Sequence, residues 1–202
     1  MTVAAEHLHN HELVSGFQRA FPNYINVWPS LEPLFQKQHI SKGAQLLNPG
    51  ELWNSTYYIE DGIARLYYTG LEGNEFNKDF FYEGNFVWPV APSAHKAPSL
   101  FGISSLSDMT IWRAPYNEFK STLQTLGAWE GIALHLAETL AERKIMREAS
   151  FLLDTPAERY ISLFKENSSL VTRIPNYHIA SFLGITQVSF SRIKKKLLGS
   201  EF

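Results

Sequence analysis

The stretch that decides the fold runs from Pro175 to Leu197 and reads PNYHIASFLGITQVSFSRIKKKL. Gly184 stands between two runs of helical period, and glycine readily adopts the positive φ that a sharp turn between helices requires. Thr186 is suited to cap the second helix. The buried faces of the two helices are predicted to carry Ile179, Phe182, Leu183, Phe190, Ile193 and Leu197. The pattern therefore predicts a helix-turn-helix.

The other face of the second helix carries polar and cationic side chains. The candidate DNA-binding residues on it are Thr186, Gln187, Ser189, Arg192, Lys195 and Lys196. Polar groups near the start of such a helix reach base edges in the major groove, and the cationic end reaches phosphates. Double-stranded DNA is therefore the predicted partner of this segment.

The charge distribution also favours a polyanionic partner at this end of the chain. The net charge is −2, but residues 1–166 contain 13 Lys or Arg against 19 Asp or Glu. Residues 167–200 contain five cations and no acid. A basic segment on an acidic body indicates that this segment alone binds a polyanion. A solvated, charged helix end is the alternative interpretation of the charge taken by itself.

The remainder of the chain divides by its periodicity. N-terminal helical patterns and short β-rich segments separated by turns are typical of an antiparallel roll or barrel. A helical period then continues from about residue 117 to residue 153. Thr155 and Glu158 have the spacing of a capping box, which starts a new helix. The predicted domains are residues 1–116, 117–153 and 154–202.

The long helical pattern predicts an oligomer. A helix of that length extends beyond the core of a small domain, so part of its apolar stripe needs another partner. A two-fold homodimer with paired long helices supplies one. An ordinary core helix packed on the sheets is the alternative.

Composition excludes several classes of protein. Hydrophobic residues make up 45% of the chain, which is enough for a core, and cysteine is absent, which excludes disulfides and thiolate metal sites. No apolar run approaches the roughly 20 residues that span a bilayer, and the N-terminus lacks a signal pattern. We expect a soluble, cytoplasmic protein that makes no contact with a membrane.

Several motifs resemble those of the Crp–Fnr family of bacterial transcription regulators. The strongest lies within the predicted helix-turn-helix, from Ile179 to Leu197, and weaker ones extend the resemblance over about residues 35–198. The weaker motifs are Lys42-Gly43, Asn48–Glu51, Tyr58–Arg65, Gly84–Phe86, Leu106–Asp108 and Thr155–Arg159. The resemblance implies an α+β fold with an N-terminal antiparallel β-roll of the double-stranded β-helix type, like a cyclic-nucleotide-binding domain. It also implies a long dimerisation helix and a C-terminal winged helix-turn-helix.

The resemblance further implies that Gln187, Ser189 and Arg192 occupy base-reading positions. Gln187 and Val188 depart from the arginine–glutamate pair of the family's best-known operator readers, so we expect a different operator sequence. The chain stops at Phe202, soon after the predicted recognition helix. We therefore expect either that a full wing is missing or that the end is truncated.

The family's cassette for a cyclic-nucleotide phosphate is degenerate. Trp88-Pro89 stands where the family has Gly-Glu, and Ser99-Leu100 stands near the position of its phosphate-binding arginine. No arginine occurs between Arg65 and Arg113. A buried phosphate without an arginine fork is costly, and we expect no response to cyclic AMP.

A pocket for an unidentified small-molecule effector remains a candidate. Its predicted lining residues are Trp88, His95, Lys96, Ser99 and Lys144. The alternative is that Trp88 is core packing and that the loop over residues 89–99 is a degenerate lid.

The sequence predicts a homodimeric transcription regulator that is not an enzyme, with no catalytic residue, no cofactor and no metal. One alternative is an effector-binding module whose DNA-binding domain is vestigial. Another is a cupin-like metalloenzyme, which needs histidine and carboxylate ligands on adjacent strands. His39 and His95 stand far apart in sequence, and His7, His9 and His11 precede the predicted roll.

Overall fold

Two four-stranded antiparallel sheets lie at the centre of the chain in the computed structural model, which describes residues 11–198. The strands are β1 (Gln36–Ile40), β2 (Gln45–Leu47), β3 (Ser55–Asp61), β4 (Ala64–Thr69), β5 (Glu75–Phe81), β6 (Phe86–Val87), β7 (Phe101–Ser105) and β8 (Met109–Pro115). One sheet has the order β1-β8-β3-β6 and the other β2-β7-β4-β5. We call residues 36–115 the two-sheet unit. With helices before and after it, the chain has the predicted α+β class.

Side chains alternate between two cores along the strands of the first sheet. In β3, Tyr57 and Ile59 point into the core shared by the two sheets, whereas Tyr58 points into a second core on the outer face. This alternation is the period of an extended strand. The inter-sheet core is built from Leu47, Trp53, Tyr57, Ile59, Ala64, Leu66, Val87, Ile103, Met109 and Ile111.

The N-terminal helices cover the outer face of the first sheet. They are α1 (His11–Ala20) and α2 (Trp28–Leu31), joined through a 3-10 turn. Phe17 and Leu31 are fully buried against this face, and the Tyr58 hydroxyl donates to the carbonyl of Glu12 at 3.1 Å. His7 and His9 lie outside the described residues, so the predicted properties of that segment stay predictions.

The structure divides the helical segment predicted over residues 117–153. A short helix α3 (Pro92–Lys96) lies in the loop before β7, and the two later helices are α4 (Tyr116–Thr125) and α5 (Trp129–Leu153). Gly127 has a φ of +66° between α4 and α5, which ends α4 in the left-handed region that glycine adopts easily. The expectation of one continuous helix is therefore corrected to a short core helix followed by a longer one. Helical rise gives the 25 residues of α5 a length of about 37 Å.

Four helices follow α5 in the described part of the chain. They are α6 (Pro156–Glu166), α7 (Ser168–Arg173), α8 (Asn176–Phe182) and α9 (Gln187–Leu198). The predicted capping box forms at the start of α6, where Thr155 and Glu158 exchange hydrogen bonds. Their core includes Phe190 and Leu183 together with Phe80 of β5, so these helices pack directly on the two-sheet unit. The division into three domains stays a prediction.

No helix among residues 11–198 is both long enough and apolar enough to cross a membrane.

Candidate nucleic-acid interface

The turn between α8 and α9 requires glycine for two reasons. Gly184 has a φ of +72°, a backbone conformation that residues other than glycine rarely adopt. A Cβ at this position would also lie 2.8 Å from a ring carbon of Phe151 in α5. The turn is closed by the Ile185 amide, which donates to the carbonyl of Ala180 at 3.0 Å. The turn between the two helices is therefore specified by the sequence at this point.

One face of α9 is anchored in the core. Phe190 is 1% exposed and meets the ring of Tyr160 edge-on at 5.0 Å between centroids. Ile193 and Leu197 pack on the same cluster. Lys194 lies partly on this side too, and its Nζ donates to Oδ1 of Asn176 at 3.2 Å. The other side of α9 is left facing solvent.

Five of the six predicted DNA-binding residues are exposed and Ser189 is half-buried, and the structure separates the six into two groups. Thr186 caps α9, since its Oγ1 accepts from the amide of Ser189 at 3.2 Å and lies 2.9 Å from the Ser189 hydroxyl. These two hydroxyls therefore have a local structural role at the start of the helix. Gln187, Arg192, Lys195 and Lys196 extend along the exposed side.

Two more residues on this side are exposed, Val188 and Ser191. Val188 stands at the position that the family resemblance associates with reading the operator, and Ser191 was not singled out by the sequence. Residues in a helix advance by about 100° each, so Val188 lies about 180° from Leu197, which faces the core. Arg192 and Lys195 lie within about 40° of Val188 by the same count. The centre of the exposed face can be found from the sequence, because it lies half a turn around the helix from the buried apolar residues.

A buried polar network joins β5 to α8. Asn77, which is 3% exposed, receives a hydrogen bond on its Oδ1 from Arg65 at 3.2 Å. Its Nδ2 donates to the carbonyl of His178 and approaches Nδ1 of the same histidine, both at 3.0 Å. The backbone N–H of Asn77 donates to the hydroxyl of Ser181 at 2.9 Å. We call Arg65, Asn77, His178 and Ser181 the β5–α8 junction.

The junction requires a neutral His178. Burial, reinforced by the positive charge of Arg65, lowers the pKa of His178 to about 4. The neutral ring accepts the Asn77 hydrogen bond at Nδ1, whereas a protonated ring presents a proton there. At neutral pH the network is therefore satisfied without a second buried charge.

Charged contacts surround the junction. The guanidinium of Arg143 in α5 lies 2.6 Å (Nη2 to Oδ1) from the carboxylate of Asp79 in β5. The guanidinium of Arg173 in α7 donates twice to the carboxylate of Glu83, at 2.6 and 3.0 Å. Burial raises the pKa of the Asp79 carboxyl, although the charge of Arg143 opposes that shift. These pairs extend the attachment of the C-terminal helices to the strand and to the turn that follows it.

The predicted effector residues occupy separate environments. Trp88 is buried between the rings of Phe21 and Phe119, at 5.8 and 5.4 Å between centroids. The Ser99 hydroxyl donates to the carbonyl of Phe101 at 2.8 Å. His95 packs on Tyr116, with ring centroids 5.1 Å apart, and Lys96 and Lys144 are exposed. The effector pocket stays a prediction.

The space between the sheets is nearly filled. A cavity of about 10 Å³ remains, which is at the lower limit of the space that one water needs. Its lining consists of Leu46, Tyr57, Ile59, Ala64, Phe81, Val87, Ile103 and Ile111, and includes none of the predicted effector residues. His39 of β1 bonds the Thr110 hydroxyl at 3.2 Å. Over residues 11–198, no three His, Asp or Glu side chains form a metal-binding group.

No protein-family model matches the sequence, and no curated protein matches it. Solved structures do share its fold. CLP, a c-di-GMP responsive global regulator from Xanthomonas campestris, has a TM-score of 0.68 and 13% identity, over 86% of this chain and 91% of that chain. FixK2 from Bradyrhizobium japonicum has a TM-score of 0.70 and 14% identity, over 82% and 85%.

A protein assigned as a transcriptional regulator of the Crp/Fnr family from Eubacterium rectale has a TM-score of 0.70 and 16% identity, over 89% of this chain and 88% of that chain. At these identities the likeness establishes the fold alone. The chain therefore shares its overall fold with transcription regulators, among them CLP and this Crp/Fnr family protein.

Proposed function

We propose that the chain is a homodimeric, cytoplasmic DNA-binding transcription regulator of the Crp–Fnr type that has no catalytic activity and does not respond to cyclic AMP. The observation that carries the proposal is the exposed face of α9, where polar and cationic side chains lie opposite a buried apolar face. That helix follows a tight glycine turn, as a recognition helix does in a helix-turn-helix. The shared fold with transcription regulators supports the same function.

In this proposal α9 enters the major groove, where some of its residues read bases and others contact phosphates. Arg192 reads guanine, because its planar fork matches the O6 and N7 acceptors of that base. Gln187, in the first turn, faces neighbouring base edges, and an amide side chain matches adenine best. Lys195 and Lys196, further along the helix, contact phosphates and fix the orientation of the helix without reading sequence.

The surface of α5 supports a homodimer. Five of its large apolar side chains are exposed within about 120° of one another around the helix axis, and they are Leu134, Ile145, Met146, Leu152 and Leu153. A stripe of this kind on a long helix is typical of an interface between subunits. A second copy of the chain would cover it and would place two α9 helices on one duplex, with half-sites about one helical turn apart.

The environment of Arg65 supports the absence of a cyclic-nucleotide response. Arg65 bonds Ser104, Asn77 and Glu75 and is therefore fully engaged by protein groups. The next arginine in the chain is Arg113, whose Nε donates to Ser55. With the inter-sheet space nearly filled by apolar side chains, a phosphate would find no room there. The same filled interior gives no support to the alternative of an effector-binding module with a vestigial DNA-binding domain.

Selection from random duplexes followed by mutation of Arg192 tests the proposal. We expect an enriched two-fold motif, and we expect Arg192→Ala to weaken binding to it by about 5- to 150-fold, the loss of one bidentate base contact. The melting temperature should not change, because Arg192 is exposed. Lys165→Ala, which removes an exposed cation from α6, is the matched control and should leave specific affinity unchanged.

Two results would contradict the proposal. One is a selection that returns no enriched motif. The other is an Arg192→Ala variant that binds the selected duplex as tightly as the unmodified chain does.

A further inference from the structure

Val188 is an apolar residue at the centre of a polar and cationic helix face. Its side chain is 61% exposed, and it is the second residue of α9. Scattered apolar residues on a surface are ordinary, so exposure alone carries no meaning. What distinguishes Val188 is its position on the helix.

The helical period aims Val188 in the same direction as the residues that would meet DNA. Leu197, on the buried side, lies about 180° away, whereas Lys195 and Arg192 lie about 20° and 40° away. Gln187 and Ser189 lie about 100° to either side of Val188. Whenever α9 points Arg192 toward the bases, Val188 points there as well, one turn closer to the start of the helix.

The chemistry of valine selects among the groups exposed in the major groove. Valine neither donates nor accepts a hydrogen bond, so a polar base edge held against it loses its water without gaining a partner. The apolar group that the four base pairs present in the major groove is the C5 methyl of thymine. A contact between two apolar groups there removes both from water without desolvating a polar group.

We infer that Val188 is a specificity-determining residue that contacts the C5 methyl of a thymine in each operator half-site. This inference rests on the proposed function. It adds a base preference that the polar residues of α9 do not supply.

Replacement of thymine by deoxyuridine tests the inference, because it removes the methyl group and leaves the base pairing intact. Each dT of one half-site of the selected duplex is replaced by dU in turn, and the dissociation constant is measured. At one position the replacement should weaken the binding of the unmodified chain about fourfold, which corresponds to the burial of one methyl-sized group. In Val188→Ala the same replacement should change affinity less than twofold.

Ser191→Ala is the matched control. Ser191 is exposed on the same face of α9, so this variant carries a small change beside Val188 and should keep the full sensitivity to dU. Equal melting temperatures for the two variants and the unmodified chain would show that all three remain folded, as expected for exposed positions.

The outcomes separate this inference from the proposed function. A selected half-site without thymine, or dU losses that are the same in Val188→Ala as in the unmodified chain, would overturn the inference while leaving sequence-specific binding intact. A selection without any enriched motif would overturn the proposed function, and the inference with it.

Discussion

The interior of the two-sheet unit and the β5–α8 junction are both buried, yet they consist of opposite kinds of groups. Between the sheets, apolar side chains such as Ile103 and Ile111 meet with almost no space left. At the junction, Arg65, Asn77 and His178 are each less than about 10% exposed and are joined by hydrogen bonds. The two regions are joined by β4 and β5, which contribute residues to both.

This difference has consequences for stability. Apolar burial is non-directional and proportional to area, so the inter-sheet core tolerates small movements and holds the unit together. A buried hydrogen-bond network is directional, and the loss of one member leaves the others unsatisfied. We therefore expect the sheets to resist unfolding under conditions that already detach the C-terminal helices from them.

The largest effect is expected from a cavity in the inter-sheet core. Ile111 is fully buried and pairs across the strands with Ile59, so Ile111→Ala should lower the free energy of unfolding by about 2–5 kcal/mol. Denaturant unfolding followed by tryptophan fluorescence measures the change. Leu71→Ala, at a fully exposed turn position, should change it by less than about 0.5 kcal/mol. Equal losses in the two variants would refute this view of the interior.

A smaller and more local effect is expected at the junction. Asn77→Ala removes one of the three side-chain hydrogen bonds of Arg65 and the contacts of the Asn77 Nδ2 with His178, which should cost about 1–3 kcal/mol. The loss should appear as faster amide hydrogen exchange in α8 and α9, with β3 and β8 still protected. Asn74→Ala, in an exposed turn, is the matched control. Uniformly faster exchange in the sheets as well would show that the two regions are not separable.

Acidification should weaken the junction in a defined pH window. The pKa of His178 falls from an ordinary value near 6.5 to about 4 when the helices are docked, so the detached or unfolded state binds the proton more readily. The stabilisation from docking is complete above about pH 6.5 and is lost as the pH falls toward 4. Exchange of the α8 amides as a function of pH measures this.

Two histidine variants sharpen the pH experiment. In His178→Gln the docking of the C-terminal helices should no longer weaken between pH 6.5 and 4 because of residue 178, since glutamine does not titrate. His39→Gln, at an exposed histidine of β1, should leave that loss in place. An unaltered pH dependence in His178→Gln would assign the effect to other groups.

The smallest effect is expected from the ion pair at the edge of the junction. Burial raises the pKa of Glu83, but the hydrogen bonds from Arg173 and from backbone amides outweigh this and lower it overall. The pair is partly exposed, so Arg173→Gln should cost less than about 1 kcal/mol and the cost should shrink at high salt. Arg19→Gln, which breaks an exposed pair at 4.0 Å from Glu12, should cost less than Arg173→Gln does. A cost above 2 kcal/mol would place this pair among the principal contacts.

Much of the architecture could be predicted from local signals. The capping box at Thr155 and Glu158, and the glycine turn at Gly184, are decided within a few residues, and the structure has both. The division of residues 117–153 was missed because Gly127 is a single residue inside a helical pattern, and one glycine there is also tolerated within a helix. Val188 is absent from the predicted DNA-binding residues, which are all polar or cationic, although the helical period places it at the centre of the exposed face.

The sequence by itself determined the local conformations and the charge of each segment. The apolar period, the caps and the turn glycines specify which residues form helices and strands, since those choices depend on neighbours within one or two turns. It also placed five cations and no acid in residues 167–200. These features are sufficient to predict an α+β chain with a basic C-terminal segment.

Only the tertiary structure decided which distant groups meet. Asn77 and His178 are 101 residues apart, and nothing in either local sequence indicates that they share a buried network. The same holds for the inter-sheet space, because whether it is open or filled depends on side chains from seven strands packing together. Long-range packing is set by the sum of many weak contacts, and such a sum has no signature at any single position in the sequence.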